Sequence, residues 1–245
     1  MKFGGIVALK NLSFGMKARS IYGLIGPNGA GKTTLFNCLS RLYDCADGEI
    51  VFNGRPITRL PTHAIAGLGI GRTFQNLAMF QSLSVRENIM MGAFSRSSTG
   101  FFGAALRSRH SAREERELRV RADELVDLLD LRGVADRPVN ELPFGIQKRV
   151  EFARALAARP SLLLLDEPAA GLNHEELTDL ATVIRTTRDV LGIAVLLVEH
   201  HMALVMGLCD HVVVMNFGQK IAEGTPAQVQ ADPAVLDAYL GASRQ

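Results

Sequence analysis

The chain has 245 residues, 47% of them hydrophobic and 21% charged, which fits an ordinary globular protein with a sizeable core, and its formal net charge of +2 gives no bulk-charge reason to expect a nucleic-acid partner. Its three cysteines, Cys38, Cys45 and Cys209, are odd in number and form no CxxC, so neither a disulfide framework nor a zinc cage is indicated and a reducing compartment is expected. The longest apolar runs, Ile193 to Val198 and Leu162 to Leu165, are far too short to span a bilayer, and the amino terminus lacks the basic stretch and apolar core of a secretory signal.

Ile21 to Ile25 reads as a buried strand, followed by a glycine-rich turn and a helix from Lys32 to about Leu42. Gly48 to Asn53 reads as a strand ending in an Asn-Gly turn, Pro61 to Ala66 as a short helix, and Gly69 to Phe74 as a strand. Ser95 to Gly100 is a candidate flexible loop. A polar helical stretch runs from Arg107 to Leu131. Its arginines are mixed with Glu114, Glu115 and Glu117, which favours a solvated helix with internal ion pairs over a basic surface facing lipid or a membrane partner. Glu151 to Ala158 is helical until Arg159-Pro160 stops it. Ser161 to Leu165 and Ile193 to Val198 are continuous apolar runs, as in parallel strands buried on both faces. Val212 to Glu223 reads as a strand hairpin turning at Asn216-Phe217-Gly218. Thr225 then starts a helix, with Pro226 at its first position and Gln228 completing a capping box. Strands alternating with helices, without an internal repeat, predict an α/β fold with a mostly parallel sheet.

Three pieces of chemistry are placed on that frame. Gly26-Pro27-Asn28-Gly29-Ala30-Gly31-Lys32-Thr33-Thr34 matches GxxxxGK[ST] in full, after a strand and before a helix. Glycines let backbone N–H groups close around phosphate oxygens, Lys32 would reach the β- and γ-phosphates, and Thr33 would offer its hydroxyl to Mg²⁺. The apolar strand Leu162 to Leu165 ends in Asp166-Glu167, at the strand end where open α/β sheets bind ligands. Asp166 would hold Mg²⁺ and Glu167 would polarise the attacking water. Alone, a strand ending in two carboxylates is more often a solvated strand end; the phosphate loop on the same chain reverses that weighting. His200 follows the strand Ile193 to Val198 and could place its imidazole on a γ-phosphate.

In this order, the phosphate loop, Gln75, Asp166-Glu167 and His200 resemble the ATPase domains of ABC transporters. Leu142-Pro143-Phe144-Gly145-Ile146-Gln147 falls where that family has its signature motif, and Lys148 to Leu156 is similar to the signature helix. Phe3-Gly4-Gly5, Gly69 to Asn76, Ala169 to Asn173, Glu199-His200 and the ending Gly224-Thr225-Pro226 through Gly241 resemble the larger ATP-binding type of branched-chain amino-acid uptake systems. The resemblance implies a P-loop NTPase core with an antiparallel β part. It implies a single ATPase domain over residues 1–245, with a helical signature subdomain of about residues 82–158 inserted. The cofactors implied are ATP and Mg²⁺, with Thr33, Gln75 and Asp166 around the metal. Glu167, His200, Lys32 and Gln75 would act in hydrolysis, Gly145 would meet nucleotide from the signature, and Phe3 would stack on adenine. Implied partners are a second ATPase subunit, a paralogue in preference to an identical copy, then transmembrane permease subunits and, indirectly, a solute-binding protein. The implied location is peripheral, on the cytoplasmic face of the inner membrane. Gln75 and Asn76 to Phe80 would grip the membrane partner, with core packing as the competing role for Leu77, Met79 and Phe80.

Several positions depart from the family pattern. Pro143 replaces the usual signature serine and removes its hydroxyl, so this signature should contribute less to catalysis. Asn173 stands where many members have Asp, His201 where Asp is usual, and Arg19-Ser20 where a Gly-Glu turn is usual. Members also usually carry one more strand before Phe3. Two other functions compete. A non-transport ABC ATPase of translation or DNA maintenance usually has two fused ATPase domains or a long coiled-coil insertion, and this chain has one phosphate loop and no sustained heptads. A GTPase switch would need a guanine-reading NKxD motif, which is absent.

Overall fold

Strands with no polar residue on either face need cover on both, and the two longest apolar runs meet that demand. In the computed structural model of the protein, Leu162–Asp166 and Ala194–Val198 are neighbouring parallel strands inside the main sheet, and Leu163, Leu164, Val195, Leu196 and Leu197 are fully buried. The structure describes residues 1–3, 6–73, 79–93 and 109–242, with the backbone alone at residues 2, 3, 6, 109–112 and 240–242.

The described elements run β1 (Lys2–Phe3), β2 (Ile6–Val7), β3 (Ile21–Ile25), α1 (Lys32–Leu39), β4 (Val51–Phe52), β5 (Arg55–Pro56), α2 (Thr62–Leu68) and β6 (Ile70–Arg72). Three helices come next, α3 (Val85–Gly92), α4 (Arg109–Leu128) and α5 (Phe144–Ala157). The chain then alternates β7 (Leu162–Asp166), α6 (His174–Leu191), β8 (Ala194–Val198) and α7 (Met202–Leu208), and closes with β9 (His211–Asn216), β10 (Gln219–Gly224), α8 (Pro226–Gln230) and α9 (Pro233–Ala242). Among the described residues the main sheet orders its strands β10-β9-β3-β8-β7-β6. Every neighbouring pair is parallel except β9 with β10. This is the predicted α/β architecture with an antiparallel part.

Apolar cover lies on both faces of the sheet. On one, Phe36 of α1 and Ile65 of α2 pack against Leu24, Leu164 and Leu196. On the other, the helices α3, α4 and α5 join α6 and α7 over Ile25, Leu163, Leu165 and Val195. Asn88 of α3 is fully buried and ties down the preceding turn: its Oδ1 accepts from the Phe80 N–H at 2.9 Å, and its Nδ2 donates to the carbonyls of Phe80, Leu83 and Ser84. On the polar helix α4, Arg113 pairs with Glu117 at 3.0 Å with both side chains exposed, the internal ion pairing expected of a solvated face, whereas Arg121 pairs with Glu124 at 3.0 Å from a largely buried position and also reaches the Leu156 carbonyl.

Turn chemistry follows the sequence closely. Phe217 (φ 44°) with Gly218 (φ 75°), and Asn53 (φ 49°) with Gly54 (φ 75°), are the paired left-handed residues of tight hairpins. Thr225 caps α8 through the expected box with Gln228, and Pro226 sits in the first turn. The signature helix starts at Phe144, before both the Glu151 start read from the residue pattern and the Lys148 start of the resembling stretch. Pro143, at φ −55° and ψ 150°, takes the cap position, and the polar run Gln147-Lys148-Arg149 hides the helical period even though Lys148 is buried. The first helix stops at Leu39, short of Leu42, because Arg41 turns left-handed at φ 56°. The strand expected over Gly69 to Phe74 is described as Ile70–Arg72, with Phe74 outside the described residues. Arg19 holds φ 55° where glycine is usual, a conformation costing roughly 1–2 kcal/mol in a side-chain-bearing residue. Cys38 and Cys209 are free and buried, and burial pushes both thiols up to about 12, so neither is a nucleophile near neutral pH.

Candidate nucleotide site

Parallel pairing decides where the chemistry gathers. The strands β3, β8, β7 and β6 run in one direction, so the loops after Ile25, Val198, Asp166 and Arg72 all open on the same edge of the sheet. The loop after Ile25 is the phosphate loop. Its glycines Gly26, Gly29 and Gly31 have φ of 152°, 78° and 98°. A Cβ on Gly26 would collide with the Met215 carbonyl, and one on Gly31 would stand 2.6 Å from the Ala8 carbonyl oxygen. At Gly29 the space is open and only the backbone conformation calls for glycine. The Ala30 N–H donates to the Pro27 carbonyl at 3.1 Å, and the Gly218 N–H donates to the Ala30 carbonyl at 3.0 Å, so the β9–β10 turn braces the loop from behind. Asn28 and Thr33 are exposed at its rim. On the carboxy-terminal helix, the Tyr239 phenol is held above its ordinary value by burial, against an opposing effect from the Gly26 backbone beside it.

Lys32 crosses the loop. Its Nζ donates to the carbonyls of Gly26 at 2.6 Å and Pro27 at 3.0 Å. Burial holds this ammonium below the usual lysine range, while the Glu167 carboxylate acts in the opposite direction. Leu24 and Asp166 are both paired with Val198, so the loops that carry the phosphate-loop cation and the candidate base leave the sheet side by side. Glu167 sits in the left-handed region at φ 47°, with its N–H donating to the Val198 carbonyl at 3.0 Å. A left-handed side-chain-bearing residue at the end of a buried strand makes Glu167 a candidate functional position.

Asp166 is buried and paired. Its Oδ2 accepts from Arg72 Nη2 at 2.9 Å, and Arg72 Nη1 also donates to Asn37 Oδ1 on α1 at 2.8 Å and to Oγ of Ser40, the residue that ends α1, at 3.0 Å. Arg72 therefore fastens the last residue of β7 to the helix that follows the phosphate loop. Arg72 has no sequence motif that marks this role; its signal is strand order, with β6 beside β7 and Arg72 opposite Leu164. Among the described residues no group of three or more His, Cys, Asp or Glu could hold a metal. A hydroxyl from Thr33 and a carboxylate from Asp166 are hard oxygen donors of the sort that bind Mg²⁺ together with substrate phosphates, so the residues present fit that ion. Gln75 lies outside the described residues, as does Leu77. Phe3 is described in its backbone, paired with Ile6 in the β1–β2 hairpin.

Beyond β7, Asn173 caps α6. Its Oδ1 accepts from the Glu175 and Glu176 N–H groups at 3.0 Å each, and Glu176 Oε2 accepts from the Asn173 N–H at 2.9 Å. Asn in place of Asp thus keeps the capping geometry. Exposed His200 follows β8, and His201 caps α7 with Nδ1 3.4 Å from the Leu204 N–H. In the signature, Pro143 caps α5 with no side-chain hydrogen bond. A Cβ on Gly145 would collide with the Glu176 carboxylate, and one on Gly171 would stand 2.9 Å from the Phe144 ring, so the signature packs closely on the loop and helix after β7. Met79 is buried in the core, whereas Phe80 is 48% exposed under the Arg154 guanidinium, 5.9 Å from its ring centroid. A cleft of 410 Å³ opens beside them, lined in part by Leu42, Ile65, Arg72, Met91 and Arg154.

Residues 9–170 match the family model described as ABC transporter, and residues 219–244 match that of the branched-chain amino acid ATP-binding cassette transporter. The high-affinity branched-chain amino acid transport ATP-binding protein BraF of Pseudomonas aeruginosa is 41% identical, over 98% of this chain and 94% of its own. LivG of Escherichia coli, of the same description, is 39% identical over the same shares. Among solved structures, a nucleotide-free ATP-binding cassette from an ABC transporter superposes with a TM-score of 0.85 at 30% identity, covering 98% of this chain and 95% of that one.

Two glycines of the loop separate space from conformation. Gly26→Ala should abolish saturable binding of a fluorescent ATP analogue, because the backbone behind it cannot give way. Gly29→Ala should weaken binding by about tenfold, the cost of one left-handed alanine. Equal losses in the two titrations would contradict this account of the loop.

Proposed function

Because the chain belongs to the ABC transporter family and is an ATP-hydrolysing transporter subunit, we propose that it powers uptake of branched-chain amino acids or related small polar solutes, such as amides, urea or aromatic acids, from the cytoplasmic face of the inner membrane. The observation that carries the reading is the convergence of Lys32 and Glu167 at the carboxyl edge of the sheet, in a chain similar to BraF and LivG along 98% of its length. No helix among the described residues is long and apolar enough to cross a membrane, so a peripheral seat on separate permease subunits is the arrangement we favour. None of the relatives named above supports a role in translation or DNA maintenance.

In this reading Gly26 to Thr34 wrap the phosphates with backbone N–H groups, and Lys32 leaves the loop carbonyls for the β- and γ-phosphate oxygens. Thr33, Asp166 and Gln75 hold Mg²⁺, which when bound neutralises charge on the β- and γ-phosphates. Glu167 orients and polarises the attacking water, His200 contacts the γ-phosphate, and Phe3 stacks on adenine. Residues 1–245 act as one ATPase domain, with the helical part of about residues 82–158 presenting Gly145 and its neighbours to the nucleotide of a second ATPase subunit. That subunit is a paralogue, in keeping with the resemblance to the larger ATP-binding type, and the site that uses the Pro143 signature is then the weaker of the two. The permease seats in the cleft lined by Met91 and Arg154, whose guanidinium lies over exposed Phe80, five residues beyond Gln75 in sequence. A solute-binding protein acts indirectly, through the permease.

Proteoliposomes holding the permease pair and both ATPases, with ATP inside and binding protein plus labelled leucine outside, test the assignment. Uptake should need the wild-type chain and fall to background with Lys32→Ala. Intact ATP hydrolysis with no uptake of any branched-chain amino acid, amide, urea or aromatic acid would overturn the solute class. In the same vesicles Pro143→Ser should raise the ATPase rate, and an unchanged rate would count against the weakened signature.

A further inference from the structure

Glu199 is fully buried, yet among the described residues no cation pairs with it. Its carboxylate is satisfied by backbone amides of two different loops. Oε1 accepts from the Ala169 N–H at 2.8 Å, in the loop after β7, and Oε2 accepts from the N–H groups of His200 at 3.1 Å and His201 at 3.3 Å, after β8. Burying a carboxylate without a counter-ion is costly, and apolar packing at the end of β8 would be cheaper if cohesion were the only demand. What the charge provides is an acceptor strong enough to hold amides of both loops at once. Ala169 is two residues beyond Glu167, whose own N–H is bonded to Val198 at the end of β8. The loop carrying the candidate base and the loop carrying the candidate γ-phosphate contact are therefore joined twice, once by backbone and once through Glu199.

We propose that Glu199 is a positioning residue for hydrolysis, fixing the backbone of His200 relative to the loop of Glu167 so that both meet the same γ-phosphate in register. It touches no substrate and acts through its two neighbours, as a buried hydrogen-bonding partner orients the ligands of a metal site. The proposal rests on the reading of His200 as a γ-phosphate contact. Shortening the side chain in Glu199→Asp keeps the charge while withdrawing it from Ala169. Glu199→Gln keeps the length while turning one acceptor into a donor that faces an N–H.

The test measures kcat and KM for MgATP in the assembled transporter, for each variant in wild-type and His200→Ala backgrounds, with melting temperatures of the purified chains. Glu199→Asp should lower kcat by about tenfold or more, the usual loss for such supporting groups, with KM within about twofold because the phosphate loop is untouched. In the His200→Ala background the same change should cost less than about twofold, since residues acting as a unit are not additive. Losses that multiply across the two backgrounds, or a kcat that changes only in step with the melting temperature, would overturn the positioning role. A wild-type kcat in His200→Ala alone would instead overturn the γ-phosphate reading beneath it. Should Glu199→Asp fail to fold, Glu199→Gln gives the same comparison.

Discussion

The parallel hydrogen bonding of β3, β8, β7 and β6 is the constraint from which the site follows. Register puts Leu24 and Asp166 both opposite Val198, so the phosphate loop, the carboxylate pair and the segment of His200 leave the sheet at one height and on one edge. Buried apolar runs such as Leu163 to Leu165 and Val195 to Val198 allow this, because helices must cover both of their faces. With both faces covered, the only exits for polar residues are the strand ends. Every chemical group of the site is displaced there by the cost of burying it elsewhere.

Interlocking backbone and side-chain bonds then hold the edge together. Gly26 is pressed against Met215, Ala30 is bonded from Gly218, Arg72 joins Asp166 to Asn37 and Ser40, and Glu199 joins Ala169 to His200. Buried ion pairs such as Arg72–Asp166 add little net stability against apolar substitutes, but breaking one by removing a single partner is expensive. Their worth here is geometric. They place Asp166 and the first helix in one frame, which an apolar contact would leave free to slide.

Much of this was legible in the sequence. The phosphate loop, the Asp166-Glu167 strand end, the hairpin at Phe217-Gly218 and the capping box of Thr225 are local patterns, and local patterns are carried by chain neighbours. The roles of Arg72 and Glu199 were not legible, because each depends on which strands lie side by side, and no spacing along the chain records that β6 pairs with β7. The early start of the signature helix was hidden for a different reason: Lys148 and Glu151 are buried as a pair at 3.6 Å, so a stretch that reads as polar surface is packed inside. The departures noted from the family pattern have local accommodations, with Asn173 capping α6, His201 capping α7 and Pro143 capping α5.

The most direct test of the central claim is MgATP hydrolysis by the purified chain beside Glu167→Gln, with both proteins sized after ATP is added. The account predicts ATP binding by both proteins, hydrolysis by the wild type once the paralogous ATPase is added, and a variant that does not turn ATP over and elutes with that partner as an ATP-bound dimer. A Glu167→Gln protein that hydrolyses ATP as fast as the wild type would contradict the assignment of the strand-end carboxylate as the base, and a wild-type chain that binds no ATP would contradict the site itself.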